Sequence, residues 1–374
     1  MLRFQRHTHS QRLERWLGAA HVEQMSAAMR DWYGPPIAVS GVPGNVWAMK
    51  GGDFRGPIGA GQFASALDMV AARSKKILRR AAEINGGRAG AGFASLDALI
   101  SAVSTGKVRQ FNFIKVGSTG VLSVTNTLWR AAGTPAAGAA GSAAPGGRAL
   151  TDATTGAWPV LDNVSTETRH FVRGEAQGSV GGNTLLLYDR LFDVAKTMNS
   201  TATESVTGVP TRYQSSTQTA ADYAGGNFIF VEVGGTALAA TAHNWTVCLY
   251  RNQAGTDAQT MPSLTGNSSA IVDRLDHPVC QWFAPLATGD TGAMDLNQMQ
   301  CSALVATGLI NFVIGHPIAF MPLPIANQLC ITDGIMSAFN LVRIFDDAAL
   351  ALLEVMKPAT TATTYICNVM AAHS

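Results

Sequence analysis

Asp290-Thr291-Gly292 spells the aspartic-protease tripeptide, whose chemistry needs two such aspartates held close enough to share one proton. It occurs once, and the flanking Ala287-Thr288-Gly289 and Ala293-Met294-Asp295 lack the apolar strands that bury such a dyad, so a turn is the expected role. The eight histidines are scattered. His7 and His9 could share a patch at a helix end. His277 adjoins Asp276, and His-Pro at 277–278 and 316–317 suits strand edges or turns, so hydrogen-bonded structural imidazoles are expected. Five cysteines, Cys248, Cys280, Cys301, Cys330 and Cys367, occupy the last third with no Cys-x-x-Cys pair. Their neighbours are apolar or β-forming, as in Trp245-Thr-Val-Cys-Leu-Tyr250, which reads as buried free thiols in strands rather than disulfides or a metal site. Gly56-Pro-Ile-Gly59-Ala-Gly61 and Gly86-Gly87-Arg-Ala-Gly90-Ala-Gly92 look loosely like phosphate cradles, but neither sits between a strand and a helix with the Lys or acidic partner such a cradle uses. There is no Gly-x-Ser-x-Gly, His-Glu-x-x-His, Walker loop or calcium loop. No enzyme is expected, and no cofactor or metal is implied.

One charged constellation remains. Arg73, Lys75, Lys76, Arg79, Arg80 and Arg88 form a basic run, and Arg3, Arg6, Arg12 and Arg15 add to it at the N-terminus. Such residues could neutralise phosphates without reading sequence, dock on an acidic protein surface, or form a solvated helix face; no interleaved aromatics single out single-stranded nucleic acid. The run belongs to a wider asymmetry. Residues 1–130 hold 17 Lys/Arg against 7 Asp/Glu, net +10, and residues 131–374 hold 10 against 18, net −8, beneath a whole-chain charge of +2. Summed charge sets association rather than fold, so the two ends are suited to different partners.

The elements that would carry these residues divide the chain at about residue 92. Before it, residues 10–33 show helical spacing of Leu13, Trp16, Leu17, Ala20, Val22, Met25 and Met29, stopped by Gly34-Pro35-Pro36, and a second helix is expected over Gln62–Ile84. Residues 1–92 thus read as a basic, helical and Gly-rich N-terminal arm. A short helix over Ser95–Val103, capped by Ser95 with Asp97 in its first turn, opens residues 93–374. Short β-like runs follow at Val108–Val116, Val121–Trp129, Thr184–Phe192, Asn227–Val233, Asn244–Tyr250, Gln281–Leu286, Gln300–Val305, Asn311–Ile314, Asn340–Phe345, Ala351–Met356 and Tyr365–Met370. With no long helices between them, a mainly β body, a β-sandwich or jelly roll, is expected. Within it, residues 131–147 are a low-complexity Ala/Gly/Pro stretch, suited to a flexible linker or to lying flat along a neighbouring subunit. Only 14% of residues are charged, against the usual quarter, which suits a surface that packs on copies of itself. A homo-oligomer is expected. No stretch reaches the roughly 18–20 apolar residues that span a bilayer, so no membrane association is expected. The basic N-terminus runs into Gln11-Arg12-Leu13-Glu14-Arg15 rather than an apolar segment, so synthesis in the cytosol without a secretory signal is expected.

Six phrases in residues 93–356 resemble, in order and spacing, a loosely related set of tailed-bacteriophage virion proteins. They are Phe93-Ala-Ser-Leu-Asp-Ala-Leu-Ile-Ser-Ala102, Ala149-Leu-Thr-Asp-Ala-Thr-Thr-Gly-Ala-Trp-Pro159, Tyr250-Arg-Asn-Gln-Ala-Gly255, Phe283-Ala-Pro-Leu-Ala-Thr-Gly-Asp-Thr-Gly292, His316-Pro-Ile-Ala-Phe-Met-Pro-Leu323 and Val342-Arg-Ile-Phe-Asp-Asp-Ala-Ala-Leu-Ala351. The resemblance implies a structural component of a virion with no catalytic residues to carry over. The expectation is a capsid-associated decoration, cement or minor capsid subunit, with the shell, its own copies and packaged DNA as partners. A major capsid subunit, for which Gln62–Ile84 would have to serve as the long spine helix, and a neck or tail component are the alternatives within that class. Outside it stand a nucleic-acid-binding module acting through residues 1–92, and a receptor- or glycan-binding domain using Trp158, Trp245 or Trp282.

Overall fold

The computed structural model describes residues 93, 95–158, 169–213, 226–334 and 342–373, all within one compact unit, Ile84–Ser374. The expected helices over 10–33 and 62–84, and the arm they would form, lie outside the described residues.

Helix α1 (Leu96–Ser104) forms as its sequence dictates. Ser95 is extended at φ −158, and its Oγ accepts the Ala98 N–H at 3.1 Å. Gly106, at φ +80, follows the helix, and β1 (Val108–Val116) begins two residues later. Along β1, Phe111, Phe113 and Lys115 point inward and Asn112, Ile114 and Val116 outward, the period of two that a half-buried strand requires.

The protein is mainly β, and every strand pairing is antiparallel. One six-stranded sheet has the order β15 (Cys330–Asp333), β5 (Arg169–Gly178), β18 (Thr364–His373), β1, β3 (Ala132–Thr134), with β16 (Arg343–Ile344) also on β5. The other six-stranded sheet runs β2 (Asn126–Thr127), β17 (Leu350–Val355), β6 (Asn183–Thr197), β14 (Leu309–Leu323), β8 (Phe228–Val233), with β4 (Arg148–Ala149) on β6. Two smaller sheets complete the body: β11 (Gln259–Thr260), β10 (Leu249–Asn252), β13 (Ala293–Met299), β7 (Glu204–Ser205); and β12 (Leu264–Thr265) with β9 (Asn244–Trp245).

The first sheet supplies Phe111, Phe171 and Val369, and the second Leu185, Ile229, Phe312 and Leu352, to one main core. The second sheet is covered on its far side as well, where Leu186, Tyr188, Phe230, Val313, Ala351 and Leu353 pack with Trp129, Leu150 and Leu275 from connecting segments. That double burial explains why β8 reads Phe-Ile-Phe-Val-Glu-Val and β17 Leu-Ala-Leu-Leu-Glu-Val, fully buried from end to end. The long β6–β14 ladder slips twice: Ile314 pairs with Phe192 and Gly315 with Arg190, leaving Leu191 between rungs so that Leu191 and Phe192 both enter the main core, and Pro317 pairs with Tyr188 and Ala319 with Leu187, leaving Ile318 between rungs on the other strand.

The Ala/Gly/Pro stretch at 131–147 lies flat, against its own body. Lys115, turned inward by the alternation of β1, is held there by the carbonyls of Ala131, Pro135 and Ala136. Gly138 donates its N–H to the Trp129 carbonyl, and a Cβ at Gly138 would stand 2.3 Å from the Trp129 ring. Ser142 and Ala144 exchange backbone hydrogen bonds with Ala195 of β6. Small side chains are what this close approach requires.

Several expected strands differ. Gln281–Leu286 is a loop between Pro278 and Ala287, and Gln300–Val305 contributes only a bridge from Cys301 to Trp245. Val121–Trp129 shortens to β2, because Gly120 and the positive φ of Ser123 turn the chain there. The cysteines are all free, as expected, but only Cys248, Cys301 and Cys367 are buried; Cys330 is half-buried and Cys280 is exposed in a turn at φ 64.

Candidate interaction surface

The basic residues Arg73, Lys75, Lys76, Arg79, Arg80 and Arg88, the glycine clusters at 56–61 and 86–92, and His7 and His9 lie outside the described residues. What the structure does place is the set of ionisable groups in the body, and these are bound into structural networks.

Asp290, of the Asp-Thr-Gly tripeptide, follows the turn at Thr288–Gly289. Its two carboxylate oxygens accept the Tyr250 hydroxyl at 2.6 Å and the Asn252 amide at 2.9 Å. Burial together with the hydrogen bond to Asp290 pushes the Tyr250 phenol up to about 12, so it serves as a proton donor that fastens the loop. The carboxylate positions a turn, the role its flanks imply.

His277, His316 and His243 are held in structural settings as well. His277 is fully buried and accepts the Val231 N–H on Nε2 at 2.8 Å; burial lowers its pKa to about 4. His316 stacks on Tyr213 with ring centroids 3.9 Å apart, its Nδ1 2.8 Å from Asn227 Oδ1, and burial lowers its pKa to about 3. His243 lies 2.9 Å from Asp276, which also accepts the Trp245 indole N–H at 2.8 Å. Although burial opposes it, the Asp276 carboxylate raises the His243 pKa.

Strand β6 carries three adjoining charges, Asp189, Arg190 and Asp193, none exposed to solvent. The Arg190 guanidinium donates to Glu232 at 2.6 and 3.1 Å and to Asp193 at 3.1 and 3.3 Å, and lies 4.8 Å over the Trp129 ring. Burial alone would raise the Glu232 carboxyl, but the charge and hydrogen bonds of Arg190 hold it below the usual range. Arg212 forks onto Asp189 with two bonds of 2.8 Å and a third, also 2.8 Å, to the Leu150 carbonyl. Arg148 reaches Asp193 at 2.7 Å. These pairs pin the segments carrying Arg148 and Arg212 to the second sheet. Among the described residues, no group of three or more His, Cys, Asp or Glu is arranged to hold a metal ion, and no helix is long and apolar enough to cross a membrane.

Among the described residues, two surface features stand out. The outward face of the first sheet carries few charges. Ile114 faces Ile366 across the β1–β18 ladder, and Ile366 faces Gln177 of β5. In the next row Asn112, Asn368, Glu175 and Ile331 stand side by side on β1, β18, β5 and β15. Ile114, Ile366 and Ile331 are 47%, 44% and 56% exposed. The charges that join them are Arg173 and Glu175, which pair with each other, and Asp333. The alternation of β1 and the C-terminal strand made this face legible; β5 and β15, which widen it, were missed in the sequence.

The second feature is a depression of ≈ 290 Å³ lined by Asn227, Phe228, Trp282, Phe283, Leu286 and Asp290. Trp282 lies edge-on to Phe228 and Phe283 there, at 4.9 and 4.8 Å. Of the three tryptophans considered for a glycan groove, Trp245 is completely buried, Trp158 packs on Phe113 at 4.3 Å, and Trp282 alone lines an open depression.

No family model matches the chain, and no curated protein matches it. Among solved structures, the crystal structure of the infectious bursal disease virus VP2 subviral particle aligns with a TM-score of 0.16 and 9% identity, covering 71% of this chain and 80% of that chain. At that score the likeness carries no argument about fold or function.

Proposed function

We propose that this chain is a virion structural subunit, acting by binding without catalysis. In this reading the body is a β-sandwich or jelly-roll unit that packs on copies of itself, and the protein is capsid-associated, as a decoration, cement or minor capsid subunit of a bacteriophage. The observation that carries it is the outward face of the β15–β5–β18–β1–β3 sheet. Three exposed isoleucines set among Asn, Gln and Thr, with the Arg173–Glu175 pair and Asp333 as the charges of the face, form a surface of low desolvation cost. Its occupant is a second copy of this chain: with Arg173 and Glu175 paired to each other and Asp333 beside them, the face offers little charge for a foreign partner to read, which suits a repeated subunit. Two six-stranded sheets feeding one core support the sandwich description. The resemblance of six phrases in residues 93–356 to tailed-phage virion proteins supplies the particle. The basic residues Arg73, Lys75, Lys76, Arg79, Arg80 and Arg88 are assigned to anchoring on the acidic shell or on packaged DNA.

The test is a double substitution, Ile114→Lys with Ile366→Lys, which places two like charges opposite each other on that face without entering the core. Loss of assembly with an unchanged circular dichroism spectrum is expected. Assembly as complete as the unsubstituted chain's would refute the face as the contact.

A further inference from the structure

Asn126, Glu354 and Lys357 meet in the interior where β2 pairs with the end of β17. Asn126 sits opposite Glu354 in the ladder, and its amide Nδ2 donates to Glu354 Oε2 at 3.0 Å. Met356, at φ 55, turns the chain so that Lys357 points inward again, and Lys357 Nζ lies 3.2 and 3.4 Å from the two Glu354 oxygens. Asn126 and Lys357 are each 1% exposed and Glu354 is not exposed at all. Tyr365 donates its hydroxyl to the same carboxylate. Two glycines let the chain close over the cluster. A Cβ at Gly120 would stand 2.7 Å from Lys357 Cδ and 3.2 Å from Asn126 Nδ2, and one at Gly117 would stand 3.2 Å from Glu354 Oε2. The lysine stem and the asparagine amide are therefore pressed to the same spot.

A buried Lys–Glu pair needs no asparagine. Here the Asn126 carbonyl Oδ1 is buried with no hydrogen-bond partner, an arrangement that costs stability as it stands. A primary amine, a carboxamide and a carboxylate touching both are, however, the parts that amide exchange requires.

We propose that the chain joins Lys357 to Asn126 by an intramolecular isopeptide bond, with Glu354 as the acid–base catalyst. Glu354 takes a proton from the Lys357 ammonium, and the freed Nζ electron pair attacks Asn126 Cγ. Nζ then gives up a second proton as the Cγ–Nδ2 bond breaks, and Glu354 relays protons to Nδ2, which leaves as ammonia and takes up the remaining proton as ammonium. No oxidant or external reagent is consumed, and the reaction occurs once per chain. The tie would link β2 to the chain just past β17 across most of the body, restricting the unfolded state as a long-range cross-link does. Unlike a disulfide, it persists under reducing conditions, in keeping with five cysteines that remain free.

The experiment is the intact mass of the denatured full-length chain, followed by proteolysis. A mass one ammonia below the sequence mass is expected, with a branched peptide joining the segments that contain residues 126 and 357. Lys357→Arg and Glu354→Gln are each expected at full sequence mass. Asn126→Asp is expected to form the same bond with loss of water instead of ammonia. An unsubstituted chain at full sequence mass overturns the proposal, whatever the variants do. A deficit that persists in Lys357→Arg overturns it too, because the lost ammonia then comes from elsewhere. A deficit that persists in Glu354→Gln overturns the role of Glu354.

Discussion

Buried charge distinguishes this interior at the level of single residues. Arg190 is enclosed with Glu232 and Asp193, and removing one partner from such a group leaves the others desolvated and uncompensated. Arg190→Leu is therefore expected to lower the unfolding free energy by about 3–5 kcal/mol in denaturant titration, and a loss under about 1 kcal/mol would contradict the network's role. His277 and His316 set a pH dependence. Their folded pKa values, about 4 and about 3, lie below the ordinary value of 6.5, so the fold holds the neutral imidazoles. That contribution is fully present above about pH 6.5 and is lost as pH falls towards the folded values, because the unfolded chain then binds more protons. Each histidine contributes a slope of about 1.4 kcal/mol per pH unit. His243, raised by Asp276, and Asp273, raised to about 6 by burial, act in the opposite direction, since their contribution is lost as pH rises. His316→Gln is expected to remove about one histidine's share of the acid-side loss of stability between pH 6.5 and 4; a pH dependence identical to that of the unsubstituted chain would contradict the assignment. The sequence suggested satisfied histidines from their His-Pro and Asp-His settings. It did not reveal the ion networks, because Glu232 and Glu354 each look like an ordinary charge at a strand end until the cation that meets them, Arg190 or Lys357, is placed in space.

Among the elements, legibility followed alternation and propensity. The strand expected over Val108–Val116 is β1 to the residue, and Ser95 caps α1 as its position suggested. By contrast, β5 was missed, since Arg-His-Phe-Val-Arg-Gly-Glu-Ala-Gln-Gly has few β-forming residues; it is a strand because tertiary context overrides propensity. Its Gly174 is required by Met321, whose sulfur would lie 2.8 Å from a Cβ there, and its Arg173 and Glu175 neutralise each other. The Ala/Gly/Pro stretch was read as a linker or an inter-subunit contact, whereas it seals the body's own second sheet. Its smallness is steric, which predicts that Gly138→Ala, pressed against Trp129, destabilises by about 1–3 kcal/mol. A melting temperature equal to that of the unsubstituted protein would show the segment free to move aside.

At the scale of the whole molecule, the described body is tied together by buried ion pairs that hold loops to sheets, and it leaves one sheet face of low charge exposed to solvent. Under the proposed function, the charge asymmetry between residues 1–130 and 131–374 would serve a second kind of contact, one that salt weakens while leaving the apolar face intact. The most direct measurement is the solution mass of the full-length chain by light scattering at low and high salt, beside a chain beginning at Phe93. Self-association through the sheet face predicts a closed oligomer of the same subunit number for both chains, unchanged by salt. A monomer at every salt concentration, or an oligomer that forms only with residues 1–92 and dissolves in salt, would contradict it.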